Sequence, residues 1–258
     1  VTAEVRFACT KCGNCCRDLT LPLTVSEAIG WLENGNDVQV ICEAEPWPQE
    51  PAAGDARAQH RRRRSFPTMC GTLATRVTVM LAANLAGRCP NLLADMRCGI
   101  YAHRPLVCRI YPAEINPFVQ LSPAHKACPP EAWTDDLPLL QRDGVVIDDA
   151  TRRDIQRSRD RDAADTAAKE YVCAALGLNR AGLATEGVIV FSPAPTELLA
   201  ALHRSRCVAN HDVAPGAWQI VSNSSQTVQV ILNRGALAAM AGEHHRVPCQ
   251  YSRIQSGA

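Results

Sequence analysis

Four cysteines, Cys9, Cys12, Cys15 and Cys16, fall within eight positions of the stretch FACTKCGNCC, which begins at residue 7. A C-x-x-C loop brings two sulfurs close enough to share one ion, and the turn between them aims backbone N–H groups at the sulfurs. Gly13, directly after Cys12, permits the positive φ that such a knuckle needs. Sulfur-rich sets without histidine select zinc or iron–sulfur chemistry. Cys16 has no spacer from Cys15, so its side chain must point the other way or bridge to a second metal.

Several known spacings do not fit. The bacterial ferredoxin run C-x2-C-x2-C-x3-C-P matches at three positions and then requires a ligand at Leu19. A C-x3-C-x2-C reading from Cys12 also ends on Leu19. A thioredoxin-like C-x-x-C needs a βαβ context that the flanking residues do not give. A zinc finger needs a second close pair, and the next cysteine is Cys42, with no C-x2-C after it. The remaining ligands must therefore come from far along the chain.

The chain has 13 cysteines in 258 residues, an odd number, crowded into the first half. Secreted disulfide frameworks usually carry even counts in short chains. No basic start followed by an apolar stretch opens the sequence, and no apolar run reaches the roughly 18–20 residues of a membrane span. A cytoplasmic protein with thiolates on metal is the expectation. With 47% hydrophobic residues there is enough to bury a core without disulfides. The net charge of +1 gives no field favouring nucleic acid or a membrane surface.

Thr24-Val25-Ser26-Glu27 reads as a capping box opening a helix that stops near Gly35. Residues 45–67, rich in proline and carrying the run Arg61–Arg64, read as a solvated loop; the four arginines are also candidates for a phosphate or an acidic partner. Val77, Val79 and Leu81 alternate as in a strand. Residues 150–176 read as one charged helix with Asp149 as N-cap and Gly177 at its stop. A further helix is expected over 195–204, and a hairpin over 216–232 with Asn223–Ser225 as its turn. The expected fold class is α+β, with a loop-rich, metal-bound cysteine core, helices and short strands. Residues 1–135 are expected to form the cysteine-cluster domain and 136–258 an α+β region without a second metal site.

The second group of cysteines lies in CPNLLADMRCGIYAHRPLVCRIYP, which holds Cys89, Cys98 and Cys108; Cys128 follows, before Pro129-Pro130. The order Cys98, Tyr101, Arg104, Pro105, Cys108, Arg109, Tyr111, Pro112 is too specific for a generic zinc loop. Together with Phe7–Cys16 it resembles the CxxCxxCC cysteine-cluster family of zinc- or iron-chelating domains, which includes flagellin lysine N-methylases. The resemblance covers roughly residues 7–35 and 76–130. It implies a metal held by Cys9, Cys12, Cys15, Cys16, Cys89, Cys98, Cys108 and Cys128.

Arg104 and Arg109, beside Cys108, would lower thiol pKa and offset the charge of several sulfurs. Arg109 is equally a candidate for an anionic substrate, or a brace for carbonyls. Tyr101 and Tyr111 are candidates for hydrogen bonds to the ligands or for binding a cofactor. His103 and His125 are secondary candidates as ligands, and so is the pair His244-His245. Cys42, Cys70, Cys173, Cys207 and Cys249 are isolated in sequence and read as small buried hydrophobes. Eight thiols exceed the needs of one tetrahedral zinc, which favours iron as an iron–sulfur cluster, or two sites; zinc is the close alternative. Lysine N-methylation with S-adenosylmethionine is the enzymatic alternative implied by the resemblance. EGVIVFSPAP (186–195) lacks the glycine-rich turn such a cofactor commonly uses. A third reading is a protein without turnover that delivers metal to a receiving partner; under the enzymatic reading the partner is a protein substrate.

Overall fold

The computed structural model of the chain describes residues 3–85, 87–207 and 217–253. In chain order the elements begin with β1 Glu4–Arg6, β2 Thr20–Leu23, α1 Val25–Glu33, β3 Gln39–Pro46, α2 Ala56–Arg63, β4 Ser65–Cys70 and β5 Leu73–Asn84. Next come α3 Leu106–Ile110, β6 Leu139–Arg142, β7 Val145–Val146, α4 Asp149–Ala164 and α5 Thr166–Leu176. The last are β8 Arg180–Leu183, β9 Gly187–Phe191, α6 Pro195–Cys207, β10 Gln219–Ser222, α7 Ser225–Asn233, β11 Ala238–Met240 and β12 Cys249–Arg253. The fold class is α+β.

The chain divides into two compact units, residues 1–23 with 84–161 and residues 24–83 with 162–258. These are not the consecutive segments 1–135 and 136–258 expected from the sequence. The reason is strand pairing. β3 runs antiparallel to β5 from Gln39↔Ala82 to Pro46↔Thr75, yet it also pairs with β8 and β9 from the C-terminal half.

The first unit is poor in regular structure. β1 pairs with β6, and β6 turns into β7 through Asp143-Gly144, both at positive φ (47° and 79°), the conformation a tight hairpin demands. A small cluster of Leu106, Ile110, Ala113 and Ile155, with Ile115 and Val146 against it, ties α3 to α4. Among the largest fully buried side chains of the described residues, Ile110 alone lies in this unit. Apolar burial is thus thin where the cysteines are.

The second unit holds most of the core. Along β3 the buried residues Val40, Cys42 and Ala44 alternate with less buried ones, and β5 buries Val77, Val79 and Leu81. Within this unit the strand order is β11-β10-β8-β3-β5, with β4 beside β5 and β9 joining β3 to β12. β8, β10 and β11 are parallel to one another. α1 packs on α6, and α6 on α5, burying Leu198, Leu202 and Val172.

The capping box of α1 forms as read: Thr24 Oγ1 accepts from the Glu27 amide, and a Glu27 carboxylate oxygen accepts from the Thr24 amide at 2.9 Å. Four other expectations change. The segment 45–67 contains α2, capped by Asp55, whose carboxylate accepts from the Ala58 amide at 2.9 Å. Arg61, Arg62 and Arg64 are bonded to Glu45, Glu50 and Asp162, so most of the arginine run is consumed internally. The single helix of 150–176 is two, parted at Asp165, whose carboxylate accepts from the Val25 amide at 2.7 Å. Asp148 rather than Asp149 caps α4, accepting from the Thr151 amide at 2.7 Å. The hairpin of 216–232 is a strand followed by a helix, because Ser224 caps α7 through the Thr227 amide.

Lys169 is 3% exposed and bonds Asp162 at 2.5 Å, while Arg64 bonds the other oxygen at 2.6 Å. Burial pushes the Asp162 carboxyl up, but Lys169 and Arg64 outweigh it and hold the group below the ordinary aspartate value. A depressed folded pKa gives stability that is full above the unfolded pKa of about 3.9 and is lost as pH falls through the folded value. Asp162→Asn strands the Lys169 ammonium and should cost about 3 kcal/mol at pH 7 in denaturant unfolding. The difference from the unsubstituted chain should shrink in acid below that value.

Candidate metal centre

The loop of Cys9–Cys16 is shaped by glycine and seated by backbone. Gly13 has φ 75°, and a Cβ there would lie 2.5 Å from the Met96 carbonyl oxygen, so only glycine lets the loop approach this turn. The Cys16 amide donates to the Gly13 carbonyl at 2.9 Å, closing a single 3-10 turn over Asn14–Cys16. Before the loop, the Phe7 and Ala8 amides donate to the carbonyls of Pro138 and Ala132 at 3.0 and 3.1 Å. The Phe7 ring lies 4.9 Å from that of Trp133. These contacts lay the loop beside the segment carrying Cys128.

The second group is drawn in by its own turns. The Cys89 amide donates to the Cys16 carbonyl at 2.8 Å. Residues 89–99 fold back on themselves: Leu92 bridges Cys98, the Leu93 amide donates to the Arg97 carbonyl at 2.8 Å, and the Gly99 amide to that of Asn91 at 2.8 Å. Cys108 lies on α3, which packs against β2, the strand that leaves the first loop.

All eight cysteines of the two groups are free thiols. Cys9 is exposed, Cys89 is buried, and the other six are partly buried. The structure brings the groups together. Burial pushes the Cys16 thiol up to about 12, with the neighbouring thiols Cys15, Cys89 and Cys98 adding to it. Cys108 is raised further, first by burial and then by Cys15, Cys16, Cys89 and Cys98. Cys15 is raised by burial and lies within electrostatic reach of Cys128, Cys9 and Cys12; its bond with Cys16 opposes the rise. Burial also raises Cys128, and the Tyr111 hydroxyl opposes it. Among the described residues, no three His, Cys, Asp or Glu side chains converge closely enough to hold an ion as they stand. The thiols are nonetheless within electrostatic reach of one another.

Positive and polar groups surround them. The Tyr111 hydroxyl accepts from the Ala127 amide at 2.8 Å and bonds Cys128; burial holds it protonated, with its pKa pushed up to about 12. Arg104 stacks on Tyr101, 3.8 Å from the ring centroid, and Lys11 lies 5.0 Å from the same ring. Lys126, which works to lower the Cys128 thiol, is bonded to Glu114 at 2.5 Å. Arg109 is held elsewhere: its guanidinium bonds both oxygens of Asp154, at 2.9 and 2.8 Å. No local pattern in the sequence points to Asp154 or Glu114, because each partner lies on a separate segment.

The remaining candidates differ in their surroundings. His103 and His125 are exposed. His245 has both ring nitrogens engaged, with Val247 and with Asn179 at 2.9 Å, and His244 is exposed. Cys70 bonds the Leu237 carbonyl at 3.0 Å. Cys42 and Cys173 are buried side by side, not isolated; burial and then the Cys173 thiol raise Cys42 well above its usual value. Cys249 lies on β12, and the side chain of Cys207 is outside the described residues.

Residues 8–129 match the CxxCxxCC family, whose description reads "Putative zinc- or iron-chelating domain". This segment is similar to the CxxCxxCC domain. All eight thiols lie inside it, with Cys128 next to its end. No curated protein and no solved structure matches the chain. No helix among the described residues is long and apolar enough to cross a membrane.

The Arg109–Asp154 pair links α3 to α4, and the guanidinium is 40% exposed, so its net worth is small. Arg109→Lys keeps the charge but loses the planar fork. The expected outcome is a loss of about 1 kcal/mol in unfolding free energy with unchanged metal content. Metal analysis beside a denaturation curve checks it.

Proposed function

We propose that the CxxCxxCC domain holds iron through its cysteine thiolates, as an iron–sulfur centre. The observation that carries the reading is the gathering of eight free thiols from two distant segments around one loop. The donor set is all sulfur, which suits a soft metal, and eight donors exceed the four of a tetrahedral zinc ion. Lys11, Arg104 and Lys126 stand near enough to offset part of the charge that thiolates on iron and sulfide accumulate. Tyr111 offers a hydrogen bond to Cys128, the kind of contact that tunes a metal-bound sulfur. The absent metal would supply the countercharge; the chain's own part is to hold the thiols, donate to them and limit water.

Zinc is the second reading, favoured by the Gly13 turn at φ 75° after Cys-x2-Cys, the geometry of a zinc knuckle. Lysine methylation is not carried forward: 186–195 forms β9 and the start of α6 without a glycine-rich turn, and Arg109 is committed to Asp154.

The deciding experiment is anaerobic purification with iron, zinc and acid-labile sulfide measured per chain. Iron and sulfide in equal amounts are expected. Zinc without sulfide would leave a zinc-chelating domain and remove the iron–sulfur reading. A chain without bound metal would remove both. Because the first unit has little apolar core, metal binding should add to its stability. Cys12→Ser should therefore lower metal content and the thermal midpoint together, and a variant fully metallated and equally stable would show that Cys12 is not a ligand.

A further inference from the structure

We propose that the second unit carries a binding site for a small monocarboxylate with an apolar body, seated on the buried guanidinium of Arg180. The inference does not rest on the metal-binding reading. It gives a ligand to the part of the chain that the thiols leave without a role.

The site lies where the sheet forks. One edge of β3 is taken by β5 along its whole length. The other edge pairs with β9 through Val40–Cys42 and with β8 through Glu43 and Ala44, so two branches leave from it. β9 carries β12, while β8 carries β10 and then β11. The branches touch at one end, where a Cβ on Gly182 would strike the Gly187 backbone. Between them opens a cavity of about 330 Å³. Its walls include Ile189 of β9, Val221 of β10, Met240 of β11 and Tyr251 of β12, with Arg180 at the start of β8. All of these residues belong to the second unit. The volume falls at the small end of the range for ligand pockets and suits a compact organic molecule.

Arg180 is the feature that calls for an anion. It is 7% exposed, and its Nε donates to Gln219 Oε1 at 2.8 Å. Nη1 donates to the Glu243 carbonyl at 2.8 Å and Nη2 to the His244 carbonyl at 3.2 Å. All three acceptors are neutral, and among the described residues Arg180 forms no ion pair. A buried charge is ordinarily matched by an opposite one. A guanidinium has five N–H groups, so two remain, one on each terminal nitrogen. Two such donors suit the two oxygens of a carboxylate.

The other polar groups of the cavity do not supply that countercharge. Glu243 is exposed, and its carboxylate accepts from the Met240 amide at 2.9 Å, within its own loop. His245 has both ring nitrogens engaged with Val247 and Asn179. A single buried cation balances a monoanion. A phosphate dianion would leave one charge uncompensated against Ile189, Val221 and Met240. Those side chains instead favour a hydrocarbon body behind the carboxylate.

The test uses the full chain and hexanoate as the probe, with hexanamide as its neutral counterpart, followed by ligand-observed NMR. Hexanoate should bind saturably with a Kd of about 1 mM or tighter. Hexanamide should bind about tenfold more weakly, because it lacks the charge that strengthens bonds to a guanidinium. Met240→Trp fills the cavity while leaving Arg180 in place, and should abolish hexanoate binding. Arg180→Gln should reduce hexanoate to the level of the amide; if that variant does not fold, the acid-to-amide ratio in the unsubstituted chain and Met240→Trp still decide. No saturable hexanoate binding, equal binding of acid and amide, or unchanged binding by Met240→Trp would overturn the proposal. Arg180 would then be only a brace for the backbone of Glu243 and His244. Metal content is unaffected in every case, so failure here is distinct from failure of the metal-binding reading.

Discussion

Thiol crowding is the constraint around which the first unit is organised. Removing a sulfur from water disfavours its anion, and placing another sulfur beside it disfavours the anion again. Cys15, Cys16, Cys108 and Cys128 all show burial as the leading cause of their raised values, with neighbouring thiols adding to it. Without a cation such a group stays protonated. The fold spends little on apolar packing here, since among the described residues Ile110 alone of the largest fully buried side chains belongs to this unit. Cross-linking by metal is the usual substitute for a small core.

The polar residues of the second motif divide their work around this cluster. Tyr111 joins the Ala127 backbone to the Cys128 sulfur and so positions that thiol. Arg104 lies on Tyr101, with Lys11 of the first loop near the same ring, so two cations share one aromatic side chain. Arg109 sits one residue from Cys108 but spends its charge on Asp154, which is 9% exposed, and so fastens α3 to α4. Adjacent positions in one motif thus serve electrostatics and architecture respectively.

What the sequence made legible was local. The Thr24–Glu27 cap, the stop at Gly177 in the left-handed conformation, and the alternation of Val77, Val79 and Leu81 are short-range signals, and each appears in the structure. The cysteine motifs were equally legible because their spacing is itself the chemistry. What failed was decided by single capping residues or by long-range pairing. Ser224 turned an apparent hairpin into a helix, since Val228, Ile231 and Leu232 suit a helical period as well as a strand. Asp55 opened α2 in a segment whose prolines and arginines suggested a loop. The partition into units was illegible, because nothing near residues 24–83 announces that β3 will pair with β8 and β9.

That interleaving has a consequence for synthesis. A ribosome adding roughly 5–20 residues per second releases the loop of Cys9–Cys16 several seconds before Cys128 emerges. Between them it must make α1 and β3–β5, whose strand partners β8 and β9 emerge later still. All residues of the first unit, thiols included, have therefore been released while the edges of β3 in the second unit still lack β8 and β9.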